Sequence, residues 1–188
     1  MRQKWNWFCV ASQCIATYVG DHTMAGNAQF EATPQPRFMV DHMLIKLGKY
    51  LRVLGYDAEW GAAHTVRTHE LITRSNAEGR IFLTRNRRLA AQYPAPLRVM
   101  SLRETDPARQ LEAVVEQFGL DRTERLFTKC IRCNVFLHPV PDKATIRERV
   151  HPNVYARFEQ FHTCPSCGTV FWKGTHVANT RRKLGITD

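Results

Sequence analysis

No apolar run in the chain approaches the ~20 residues that a helix needs to cross a bilayer, so nothing in it reads as a membrane span. Acid is also scarce. There are 17 Asp and Glu against 27 Lys and Arg, for a formal net charge of +10. Residues 1–19 also do not read as a clean secretory leader. Arg2 and Lys4 precede an apolar stretch over residues 5–19, but Asn6, Ser12 and Gln13 interrupt it and no small-x-small site closes it. What is present argues for a folded protein. Hydrophobic residues make up 44% and aromatics 10%, which excludes general disorder. The 188 residues suffice for one ordinary domain and a small one.

Cysteine is scarce but ordered. Four of the six form two Cys-x-x-Cys pairs, Cys130/Cys133 and Cys164/Cys167, and Gly168 follows the second. Such a turn aims two sulfurs at one ion, and two turns supply the closed tetrahedral set of a structural zinc site. The alternative is a pair of disulfides. That requires an oxidising compartment, and bridges across two residues close loops too small to restrict the unfolded chain much. The spacing therefore predicts a zinc ribbon, with no coordination position left for catalysis. Cys9 and Cys14 have no spaced partner.

The charge is uneven. Residues 1–36 are neutral, 37–127 carry net +4 and 128–188 carry net +6. A basic surface on a zinc module suits a polyanion, nucleic acid above all; the plainer alternative is solubility. Thr33-Pro34-Gln35-Pro36 reads as a linker, so 1–36 is expected to be a poorly structured extension. Next, residues 37–40 read as an apolar strand ending in Asp41. Residues 42–54 read as a helix with Leu44, Leu47, Leu51 and Leu54 on one side, Lys46, Lys49 and Arg52 mostly on the other, and Gly55 as its stop. Asp41 thus sits at a strand's carboxyl end and a helix's amino end. Both a ligand site and a simple N-cap use Asp there.

Further on, residues 56–60 read as a short strand, and Thr68 as the cap of a helix reaching Ala77. Residues 80–84 read as a buried strand, 89–92 as a short helix and 97–100 as another strand. Asp106-Pro107 opens a strong helix that Gly119 stops. Strand and helix alternate, which predicts an α/β sandwich with a mostly parallel sheet. Arg85, Arg87 and Arg88 flank Asn86 at a strand end, placed for a phosphate backbone or for solvent. Lys173 and His176 are candidate RNA contacts, with a surface or packing role as the alternative. Arg181-Arg182-Lys183 reads as a solvated basic tail.

Several stretches in order carry a resemblance. They are Phe38-Met-Val-Asp-His-Met-Leu44, Lys46-Leu-Gly-Lys-Tyr-Leu-Arg-Val-Leu-Gly-Tyr-Asp57, Gly79-Arg-Ile-Phe-Leu-Thr-Arg-Asn-Arg-Arg-Leu89, Cys130-Ile-Arg-Cys-Asn134 and Cys164-Pro-Ser-Cys-Gly168 with Phe171-Trp-Lys-Gly-Thr-His176. Together they resemble the Mut-seven-C RNase family, a PIN-like nuclease domain followed by a zinc ribbon. The resemblance implies a PIN-like three-layer sandwich over 37–127 and a zinc ribbon with a basic tail over 128–188. It also implies RNA cleavage with Mg²⁺ or Mn²⁺ held by clustered carboxylates.

Asp41 matches the family's first acid. Where further acids are expected, this chain has His69 and Asn86; Glu70 adjoins the first, and Asp57, Glu59 and Asp106 are further candidates. The resulting expectation is a cytoplasmic, metal-dependent endoribonuclease with Asp41, Glu70 and Asn86 at its site. One alternative is a non-catalytic RNA- or ribosome-binding protein with a degraded metal site. Another is a protein-interaction adaptor.

Overall fold

The computed structural model describes residues 35–61, 66–89 and 95–186. The expected extension, with Cys9 and Cys14, and most of the expected helix over 89–92 lie outside the described residues. Four strands, β1 (Arg37–Val40), β2 (Asp57–Glu59), β3 (Ile81–Thr84) and β4 (Val99–Ser101), form a wholly parallel sheet in the order β2-β1-β3-β4. Three helices accompany it: α1 (Ile45–Val53), α2 (Thr68–Ala77) and α3 (Pro107–Phe118).

The two central strands carry unbroken apolar runs because both faces of the sheet are covered. Successive side chains leave a strand on opposite faces, and the two cores follow that alternation. Phe38, Val40, Ile81 and Leu83 pack with Leu47 and Leu51 of α1 and with Leu111 and Val114 of α3. Met39 and Phe82 pack the other way, with Leu71 and Ile72 of α2. Helices therefore lie on both faces and the sandwich has three layers. Burying one such Leu or Phe side chain is worth about 1.5–3 kcal/mol, which makes these residues the main source of the module's stability.

Sequence expectations fail at a few points. A 3₁₀ turn, His42–Leu44, precedes α1. Asp41 caps that turn, its Oδ1 accepting from the His42 amide at 2.7 Å. Thr68 is the first residue of α2 rather than its cap. The fourth strand starts at Val99, two residues later than expected. Gly55 has φ +89, and a Cβ there would lie 2.4 Å from the backbone oxygen of Arg125, so this tight reversal requires glycine.

A second sheet, antiparallel, joins β5 (His138–Pro139), β6 (Phe161–Thr163) and β7 (Val170–Trp172) in that order. One Cys-x-x-Cys turn sits between the bridged residues Lys129 and Phe136, and the other joins β6 to β7. Between β5 and β6 lie a 3₁₀ helix, Lys143–Arg149, and α4 (Pro152–Arg157). Arg181, Arg182 and Lys183 are not a free tail. They form the last turn of α5 (Thr175–Lys183), and Leu184 and Ile186 beyond it are buried in the α1/α3 core.

Candidate functional site

The order β2-β1-β3-β4 has a topological switch point between β1 and β3, since the chain leaves β1 for β2 on one side and returns to β3 on the other. At such a point the connections diverge and leave a crevice at the strands' carboxyl ends, where open α/β sheets bind ligands. Asp41 stands at the carboxyl end of β1, at that switch point. Its amide donates to Leu83 O at 2.9 Å, and its Oδ2 accepts from Thr84 Oγ1 at 2.7 Å. Thr84 Oγ1 in turn accepts from the Asn86 amide at 3.0 Å. One hydroxyl thus ties the ends of β1 and β3 together, and it brings Asp41 and Asn86 to the same edge. Asp41 is 6% exposed, so its carboxylate is held and shielded.

The other candidates are spread out. Asn86 Oδ1 accepts from the Arg88 amide at 3.0 Å, an Asx turn that presents Arg87 and Arg88 to solvent with Arg85 half-buried. His69 and Glu70 lie in the first turn of α2, about half exposed, with His69 Nε2 3.9 Å from Glu70 Oε1. Asp106 is exposed and caps α3, its Oδ1 accepting from the amides of Ala108 and Arg109. Asp57 opens β2 and so lies at the amino edge of the sheet, away from Asp41. Among the described residues, only the four cysteines form a group of three or more His, Cys, Asp or Glu side chains whose ligand atoms converge.

Those four are free thiols, with sulfurs within 4.8 Å of one another. Cys130 Sγ and Cys167 Sγ are 3.9 Å apart. Four bonds of about 2.3 Å to a tetrahedral Zn²⁺ place sulfurs about 3.8 Å apart, so the donor set fits zinc in kind and in spacing. The thiols differ in character. Burial pushes Cys130 up to about 12, whereas the Thr169 hydroxyl beside Cys167 draws that thiol down to about 6.

A buried polar network fastens the first turn to the α/β module, and little of it was legible in the sequence. Arg52 is 3% exposed rather than solvent-facing. Its Nε donates to Ala58 O at 2.7 Å, and its Nη1 donates to Ile131 O and Arg132 O at 3.2 and 2.8 Å. The guanidinium carbon lies 3.6 Å from the Trp60 ring centre, and Nη2 lies 3.5 Å from Glu59 Oε2.

Asn134 completes the joint. It adopts φ +63, a conformation that Asn tolerates better than most residues. Its Nδ2 donates to Asp57 Oδ1 at 2.6 Å and Glu59 Oε1 at 2.8 Å, and its Oδ1 accepts from the Ala58 amide at 3.4 Å. Arg80 Nη1 donates to Asp57 Oδ1 at 2.7 Å. Asp57 and Glu59 therefore act in the joint. The one sequence signal for it was the Asn that directly follows the first Cys-x-x-Cys pair.

Fold and site together define a class: a three-layer α/β domain with a carboxylate at its switch point, bonded to a four-cysteine, zinc-fitting ribbon. The chain belongs to the Mut7-C RNAse domain family, whose model matches residues 36–184. Membership places it among nuclease-like, RNA-related proteins. No curated protein and no solved structure matches it. Among the described residues, no helix is long and apolar enough to cross a membrane.

Proposed function

We propose that the protein is a metal-dependent endoribonuclease of the cytoplasm whose zinc ribbon helps to hold the RNA. The observation that carries this reading is Asp41 at the β1/β3 switch point, buried and fixed by Thr84 in a chain of the Mut7-C RNAse domain family.

The oxygens there suit Mg²⁺ or Mn²⁺ in kind: the Asp41 carboxylate, the Thr84 hydroxyl and the Asn86 amide oxygen are hard donors. They fall short in charge, because Asp41 is the one buried acid at that edge among the described residues. Mg²⁺ is commonly held by one or two carboxylates, with substrate phosphate and water completing its shell. Asp41 would be the protein ligand, with Asn86 and, from α2, Glu70 supporting it. When bound, the ion supplies an acidified water and charge neutralisation at the phosphate. The protein's own part is positional. Thr84 and the His42 amide hold both Asp41 oxygens in place, and Arg85, Arg87 and Arg88 offer cations to the backbone on either side of the scissile phosphate.

A second reading is non-catalytic RNA or ribosome binding. It is favoured by Glu70 lying within ion-pair distance of His69 and by the Asn86 carbonyl being spent on the Arg88 amide. Cleavage of labelled single-stranded RNA with Mn²⁺ decides between the two. The nuclease reading predicts cleavage by the wild type and a loss of at least about a hundredfold in Asp41→Asn. RNA binding without cleavage, unchanged by Asp41→Asn, supports the second reading.

A further inference from the structure

We infer that the ribbon carries a nucleotide pocket, in which one base of a single-stranded RNA stacks on Trp172 and its phosphate is held by Arg149 and His151. The inference rests on the reading that this chain handles RNA.

A depression beside the second Cys-x-x-Cys turn is lined by Arg149, His151, Gly168, Thr169 and Trp172, among others, and no acid lines it. Its guanidinium and imidazole come from the insert between β5 and β6, and its indole comes from β7. The pocket therefore exists only while the insert is folded against the ribbon.

Each group is already positioned. Arg149 Nη2 donates to Gly168 O, which leaves the rest of its five-donor fork for an anion. Gly168 has φ +71, so its carbonyl is presented from a backbone conformation that a Cβ would strain. His151 Nδ1 accepts from the Asn153 amide at 3.2 Å. That bond fixes the tautomer, so Nε2 carries the proton and remains a donor. The Trp172 ring is braced by the buried Phe161 ring, 6.5 Å away, and by the His176 ring, 5.5 Å away and nearly perpendicular at 84°. His176 thus enters as the residue that sets the ring rather than as a direct contact. A braced, half-buried indole beside a guanidinium and an imidazole donor matches what a nucleotide within a strand offers, a flat base and a singly charged phosphodiester. An acidic peptide would use the Arg149 and His151 donors and leave the indole unused.

The test uses the full zinc-loaded chain and a fluorescent single-stranded oligoadenylate, without added divalent cation. Binding is followed by anisotropy across a salt series, with zinc content measured for every variant. Trp172→Phe keeps a stacking face and is expected to bind within about threefold of wild type, whereas Trp172→Leu fills the space without one and is expected to bind about tenfold weaker. Arg149→Gln is expected to lower the slope of log affinity against log salt by about 0.7, one phosphate contact on a single strand.

Equal affinity of the Phe and Leu variants overturns the pocket. If Trp172→Leu loses zinc, photo-crosslinking of wild type to bromouridine-substituted RNA decides instead. A crosslink mapped to Trp172 supports the pocket, and crosslinks elsewhere alone overturn it. Cleavage by a protein whose Phe and Leu variants bind alike sinks the pocket and spares the nuclease. A selective loss in the Leu variant of a protein that never cleaves does the reverse. Absence of RNA binding by the wild type sinks both.

Discussion

At the scale of single residues, one polar side chain often decides what its neighbours do. Burial alone would raise the Asp57 carboxyl, but hydrogen bonds from Arg80 and Asn134 outweigh it and hold the group below the usual carboxylate range. A carboxyl with a depressed folded-state pKa stabilises the fold above its unfolded value, about pH 4, and that contribution disappears as pH falls towards the folded value. Asp57→Asn should cost on the order of 2 kcal/mol at neutral pH. It should also flatten the part of the acid unfolding curve below about pH 4, measured by denaturant titration at a series of pH values. An acid limb identical to wild type would contradict the role given to Asp57. Asp41 could be picked out by eye in the sequence, because a carboxylate between an apolar strand and an amphipathic helix has few uses. Arg52 could not. Its spacing puts it with Lys46 and Lys49 on the polar side of α1, and only the return of Ile131 and Arg132 to that spot explains its burial.

Elements were legible where a local rule was strong. Asp106-Pro107 and Gly119 bracket α3 as cap, first residue and αL stop, because each satisfies or terminates backbone groups by itself. β3 was legible because four buried residues in a row need cover on both faces. The start of β4 was not, since its residues are largely exposed and pairing with β3 alone fixes its register. The ribbon's elements are short, and the cysteines rather than propensity hold them. Removing zinc should therefore unfold the ribbon, because four thiols cannot replace the metal's bonds with hydrogen bonds of their own. The joint carries a further consequence. The Ala58 amide donates to Asn134 Oδ1, so loss of the first turn should remove that acceptor. Hydrogen exchange is expected to speed up across the ribbon on chelation and also at Ala58 in β2, while Phe82 in β3 stays protected. Unchanged exchange in the ribbon after complete zinc removal would contradict a structural metal site.

For the molecule as a whole, the two modules are less separate than the sequence suggests. A boundary near residue 128 reads well from composition, yet Leu184 and Ile186 return to the core beneath α1 and α3, and Arg52 and Asn134 bond the ribbon to the sheet's edge. Such closure is invisible to local pattern because it joins residues more than 60 positions apart. These bonds tie the ribbon to the amino edge of the same sheet whose carboxyl edge bears Asp41. What remains decisive is whether that carboxylate holds a divalent ion. Titrating Mn²⁺ into the zinc-loaded protein, with free Mn²⁺ read by electron paramagnetic resonance, tests it most directly. Wild type should bind Mn²⁺ at one site, and Asp41→Asn should bind it at least about tenfold more weakly with zinc content unchanged. Equal Mn²⁺ binding by the two proteins, or none by wild type, would contradict a catalytic metal at the switch point.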